Sequence, residues 1–208
     1  MSAILEMMTR GGIMMIPLFL TSIIGLAVFI ERALFLRRSR IIKPEIIWMI
    51  KNINQADDVQ KMLSQLGVRE GPFINIIRTG LENFKKPREE IKEIIIDQGR
   101  QESRTLERGL VILETIAGIA PLMGLLGTVL GMIKVFQVIS VQGLGQTQSL
   151  SGGISEALIT TVFGLSIAIP ALVAYNYFNH RVEDLILEIE KHSAHLMKKL
   201  GAPEKRKE

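Results

Sequence analysis

Three stretches without a charged residue, 11–30, 115–133 and 157–179, constrain this chain more than any other feature. Each is near or above the roughly 18-residue length at which a membrane-crossing helix becomes the leading reading of an apolar run. The chain of 208 residues is 48% hydrophobic but only 5% aromatic, and its apolar residues are bunched into these runs. The competing reading, helices buried in a soluble core, fits their lengths less well. The expected fold class is an all-α integral membrane protein with three transmembrane helices.

Charge sets the expected orientation. Of the 25 Lys and Arg, 16 lie between residues 31 and 108 and 7 between 179 and 208, while the segment 135–153 has none. The positive-inside rule then puts 31–109 and 179–208 in the cytoplasm, and the segment 1–10 and a loop at 135–153 on the outer side. The crossings fall at 11–30, 110–134 and 154–178. Those two charged segments also carry 12 and 6 acidic residues, so they read as mixed, solvated surfaces and not as a footprint for nucleic acid. With no cysteine there is no disulfide framework, thiol nucleophile or cysteine metal site. The first run is followed by Glu31 and Arg32 and not by a small-residue cleavage site, which favours a retained helix over a signal peptide.

The cytoplasmic segments are expected to be helical. Pro44 starts one short helix, Asn54 caps another that stops at Gly67, and Gly71 with Pro72 opens a third. Pro87 marks a further start, from which the pattern can run unbroken to residue 133, a helix about 70 Å long. From residue 154 the chain stays helix-compatible to Leu200, with Gly201 and Pro203 as a stop. Two of the transmembrane helices therefore extend into long cytoplasmic helices and pack on a small cytoplasmic helical domain. The stretch 1–10 reads as an interfacial segment.

The second crossing is too rich in glycine for a helix that only faces lipid. Ala117, Ala120, Gly124, Thr128 and Gly131 recur at spacings of three or four, with Gly127 beside them, and form a smooth stripe for another helix: an assembly surface. Ala157, Thr161, Gly164, Ala168 and Ala171 form a matching stripe on the third crossing. The helix-packing positions are Gly124, Gly127, Gly131, Gly164 and Ala168. The threonines allow two readings: packing, with each hydroxyl bonded back to its own helix, or hydroxyls presented to a narrow lumen. Glu156, three residues into the third crossing, is either a charge at a helix N-terminus or a functional carboxylate. Thr160 lies one turn from it on the same face, and Thr161 about 140° away around the helix. No Asp, Glu, His or Lys lies in the middle of a crossing, so if ions pass, another chain supplies the titrating group. His180, His192 and His195 read as surface residues, without a third ligand for a metal. No protease or other catalytic constellation is visible, so an enzyme is not expected, and no cofactor is implied.

The segments APLMGLLGTVLGM (120–132) and GISEALITTVFGLSIAIPA (153–171), with Gly11, Gly12, Pro17, Glu31 and Arg32 around the first crossing, resemble the MotA/TolQ/ExbB proton channel family. Three crossings favour its ExbB/TolQ branch. The resemblance implies a homopentamer in the bacterial inner membrane around two copies of an ExbD/TolR-like single-pass protein, whose aspartate carries the proton, with a TonB/TolA-like protein beyond. It implies ion-pathway roles for Thr128, Glu156 and Thr161, and Thr160 is expected to line the pathway beside them. Thr160 departs from the family, where alanine is common, and an extra hydroxyl there bears on hydration or ion choice. The function implied is a stator subunit that turns proton motive force into work for outer-membrane transport or envelope maintenance. The alternative is a membrane scaffold without ion conduction.

Overall fold

The structure, a computed structural model, describes residues 11–53, 56–67, 69–142 and 147–200. Among these residues there are eight helices and no strands. They are α1 (Met15–Phe35), α2 (Arg38–Ile41), α3 (Pro44–Asn52), α4 (Ala56–Leu66), α5 (Pro72–Glu82), α6 (Arg88–Glu107), α7 (Leu110–Gln142) and α8 (Thr147–Leu200). The interfacial segment expected at 1–10, the cap expected at Asn54 and the stop expected at Gly201 and Pro203 lie outside the described residues.

Three helices, α1, α7 and α8, are long and apolar enough to cross a membrane. This is the all-helical, three-span membrane protein that the charge-free runs require. The chain divides into two compact units, one of residues 1–32 and 109–177, the other of 33–108 and 178–208, and α8 contributes to both.

In the first unit Leu18 and Ala120, both fully buried, sit with Met15, Ile116, Ala168 and Ala171 in one cluster that joins α1, α7 and α8. Large apolar side chains are left outside: Ile16, Leu26, Leu122, Leu125, Leu158, Val162 and Ile169 are all exposed. An apolar exterior around a cluster in which Ala120, Ala168 and Ala171 let the helices approach closely suits a lipid surround, where burying apolar surface gains little and close packing holds the helices together.

The unbroken helix expected from 88 to 133 does not form. It is interrupted at Arg108 and Gly109, between α6 and α7. Arg108 is extended in ψ at 133° and Gly109 takes φ +84°, a left-handed conformation that glycine tolerates and other residues resist. Arg32 fills the space beside it: a Cβ on Gly109 would lie 3.1 Å from the Arg32 Nε. The guanidinium is buried and its Nη2 lies 2.6 Å from Glu31. The link expected at 135–153 is also mostly helix, because α7 continues to Gln142 and α8 starts at Thr147.

The second unit is built from one-sided helices. Pro44 and Pro72 each open a helix at its first turn, where the missing amide proton is no loss, and Pro87 precedes α6. Ile46 and Ile50, Val59, Met62 and Leu66, then Phe73, Ile76 and Ile77, are buried. The far half of α8 adds Val182, Leu185, Ile189 and Leu196. Glu102, nearly buried on α6, accepts hydrogen bonds from Asn75 Nδ2 at 2.8 Å and Gln98 Nε2 at 2.9 Å. Lys199 Nζ donates to the carbonyls of Lys51 and Ile53, at 2.5 and 3.1 Å.

His192 is not the surface residue its spacing suggested, whereas His180 and His195 are exposed. Its ring lies 5.9 Å from that of Phe73, centroid to centroid, and its side chain is only 17% exposed. Burial pushes the imidazole below the ordinary histidine value, with Glu188 opposing and Lys191, Lys51 and His195 adding to the fall. Glu188 is held below the ordinary carboxylate range, first by its hydrogen bond from Arg38, whose Nε donates at 2.8 Å. A group whose pKa is depressed by folding contributes stability above its unfolded value and loses it as pH falls through the folded one. The unit is therefore expected to lose stability in two windows: below about pH 6.5 through His192, and below about pH 4.3 through Glu188. Thermal melts across this range check it. His192→Gln is expected to flatten the first window and Arg38→Gln to shrink the second; a wild-type profile flat through both contradicts the assignment.

Candidate functional site

The two stripes of small residues meet each other, and they meet within one chain. A Cβ placed on Gly124 would lie 2.9 Å from the Thr160 carbonyl oxygen and 3.1 Å from Thr161 Cα. One on Gly131 would lie 2.7 Å from the Gly153 carbonyl oxygen, and one on Gly164 2.6 Å from the Ala120 carbonyl oxygen. Gly127 faces the side chain of Thr160, with Cβ to Cβ at 2.5 Å. No real side chain fits at such separations, so α7 and α8 run antiparallel with their backbones in contact. The stripe read as an assembly surface is thus occupied by the chain's own α8. Ala168 is buried with Ala120 farther along the same seam.

The seam sorts the threonines. Thr160 is fully buried against Gly127, and its hydroxyl donates to the carbonyls of Ala157 at 2.9 Å and Glu156 at 3.1 Å. Expected among the pathway residues, it instead serves the helix contact and is closed off from open space within the chain, because its side chain is packed on Gly127. Thr161, half-buried at the seam's edge, makes only long contacts, 3.4 Å to the Ala157 carbonyl and 3.5 Å across to that of Gly124. Thr128 lies one turn beyond Gly124 on α7, half-buried, with its hydroxyl 2.6 Å from the Leu125 carbonyl. A hydroxyl bonded to its own helix keeps acceptor capacity for water or a second donor.

Glu156 is not at a helix N-terminus, because α8 begins nine residues earlier, at Thr147. Its charge is met otherwise. Lys134 Nζ on α7 reaches both carboxylate oxygens, at 2.6 and 2.7 Å. Glu156 is 13% exposed and Lys134 52%. On the other side the backbone of Gly12, at φ +67°, presses so close that a Cβ there would collide with the carboxylate. The pair borders a surface cavity of about 460 Å³, lined also by Gln137, Val138, Val141 and Gly153. Sequence reasoning missed Lys134 and Gly12 as neighbours of Glu156. One signal was available: between 115 and 179, Lys134 is the only cation and Glu156 the only anion. Among the described residues there is no cluster of three or more His, Asp or Glu side chains placed to hold a metal ion.

A three-span helical membrane protein with a glycine seam, and with charge excluded from the middle of its spans, has the character of a channel subunit. Residues 69–191 match the MotA/TolQ/ExbB proton channel family, and the chain belongs to that family. It is 31% identical over 188 residues to the biopolymer transport protein ExbB homolog of Methanothermobacter thermautotrophicus, covering 90% of this chain and 67% of that one. It is 35% identical over 118 residues to the biopolymer transport protein ExbB of Aquifex aeolicus, covering 57% and 72%. Against the Tol-Pal system protein TolQ of Pseudomonas aeruginosa it is 33% identical over 143 residues, covering 62% of each. The family is one of channel proteins and not of enzymes.

Because the seam is intramolecular, enlarging it is expected to damage the fold of each chain before any question of assembly arises. Gly127→Leu should destabilise by more than the ~1–3 kcal/mol usual for overpacking, since the obstacle is a buried threonine on a helix in backbone contact. The loss would be read as a lower melting temperature in mild detergent. An unchanged melt with loss only of oligomers would return the stripe to an assembly role.

Proposed function

We propose that this chain is the pore-forming stator subunit of a motor driven by the proton motive force, energising outer-membrane transport or envelope maintenance. It works as a homopentamer around two copies of an ExbD/TolR-like single-pass partner, whose transmembrane aspartate takes up and releases the proton. A TonB/TolA-like protein carries the force onward. The complex sits in the bacterial inner membrane, with 31–109 and 179–208 cytoplasmic.

The observation that carries the reading is where charge lies. From 115 to 179 the only two charges are bound to each other near one end of α7 and α8, and the stretch between carries hydroxyls. Such a wall supports a chain of water molecules but holds no group that could relay a proton by titrating at mid-membrane. The carrier therefore belongs to a partner. Within the chain, Thr128, Thr161 and Glu156 are the ion-pathway residues, while Thr160 serves the seam. The names of relatives, ExbB and TolQ, support the family's transport role.

One observation favours the scaffold alternative: the hydroxyls of Thr128 and Thr160 are engaged by their own helices. Thr161 separates the two readings. Thr161→Val keeps shape and removes the hydroxyl, and is expected to abolish activity linked to proton motive force while leaving the complex intact; Thr161→Ser should retain activity. The check is force-linked activity in cells, beside the native mass and composition of the complex purified in mild detergent. Normal activity in Thr161→Val removes the pore assignment. A ring that contains no single-pass chain with a membrane-embedded aspartate removes the division of labour.

A further inference from the structure

The only cation and the only anion between residues 115 and 179 meet as a two-pronged ion pair, and this pairing has its own consequence. A carboxylate 87% removed from solvent and borne on an apolar span is costly unless its charge is matched. Here the match is built into the chain. The ammonium lies 2.6 and 2.7 Å from the two oxygens, the backbone of Gly12 closes the carboxylate from another side, and the cavity of about 460 Å³ opens beside the pair. An ammonium straddling both oxygens occupies the position that a hard monovalent metal ion, which seeks oxygen ligands, would take.

The geometry points to Lys134 as a positioning and specificity-determining residue: its ammonium is the resident counter-cation of Glu156 and keeps sodium from binding there. The inference rests on the ion-pathway reading for its functional meaning, because it assigns the basis on which that pathway rejects metal cations while admitting protons. It rests on the pair alone for its binding statement. Lysine is tethered, so its supply at the carboxylate does not depend on the sodium concentration, whereas a free carboxylate in the same place would bind sodium in proportion to its activity. Removing the ammonium should therefore create a sodium site made of the Glu156 oxygens, and removing the carboxylate as well should abolish it.

The test compares the full-length complex, purified in mild detergent with its co-purifying chains, as wild type, Lys134→Met, Lys134→Gln and the double variant Lys134→Met/Glu156→Gln. The first readout is the melting temperature in sodium chloride against choline chloride at equal ionic strength. A ligand that binds only the folded state raises it with concentration. The expected result is a sodium-specific rise in Lys134→Met and Lys134→Gln, and none in the wild type or the double variant. Two lysine replacements are used so that a folding failure in one does not decide the outcome. The second readout is potential-driven proton uptake after reconstitution into liposomes, where sodium should slow the single variants several-fold and leave the wild type unchanged. Equal sodium responses in wild type and single variants, or a response that survives in the double variant, overturn the inference and leave the ion-pathway reading intact. A sodium-specific rise in melting temperature without proton uptake in any form of the complex supports the binding statement and overturns the pathway reading instead.

Discussion

Backbone contact between α7 and α8 is the constraint on which the rest of the membrane unit depends. In lipid, apolar side chains gain little by leaving one hydrocarbon environment for another, so helices are held by close packing and by the few polar contacts it permits. Glycine lets the chain make that contact, since any Cβ at Gly124, Gly131 or Gly164 would lie within 3.0 Å of backbone on the facing helix. The contact also fixes register. With Ala120 opposite Gly164 and Gly131 opposite Gly153 and Ala157, the two helices run antiparallel, and Thr160 must fall against Gly127. About two turns farther along α7 and one turn back along α8, the same register brings Lys134 within reach of Glu156.

This explains why two adjacent threonines of the same chemistry have different surroundings. Successive residues on a helix point about 100° apart, so Thr160 and Thr161 cannot both enter a narrow seam. Thr160 enters and is fully buried; Thr161 stays at the edge with long, weak contacts. A hydroxyl with poor partners can accept or donate elsewhere, whereas one already shared between two carbonyls is largely committed. The distinction comes from packing, and it assigns the two residues to different work.

The helical class, the three spans and the family were legible in the sequence because each rests on length, charge distribution and a motif, which are properties of the chain alone. Pro44, Pro72 and Pro87 stand just where helices begin, because proline acts locally. The break at Gly109 was not legible. A lone glycine in a helical pattern is often tolerated, and what decides here is the Arg32 guanidinium packed beside it, more than 70 residues away in sequence. The partner of Glu156 was hidden for a related reason: with α8 taken to start near residue 154, a helix dipole sufficed for the carboxylate, and only the observed start at Thr147 leaves it needing a cation. The burial of His192 against Phe73 is likewise a contact between distant segments. A spacing of three between His192 and His195 carries no information about it.

The ion pair has a further effect on whatever helix the subunits surround. A lone carboxylate on the wall of a narrow, weakly polar passage would oppose ionisation of any acid brought near it and raise that acid's pKa, as like charges do at short range. Bound to Lys134, Glu156 presents a dipole whose field falls away faster than that of a charge, and the stretch from 115 to 179 carries no net charge. In the proposed complex the affinity of the partner's aspartate for its proton is then set mainly by desolvation and by hydroxyls such as that of Thr161, which alter little in charge as the partner moves. A wall of constant charge lets the proton's gain and loss follow the partner's position.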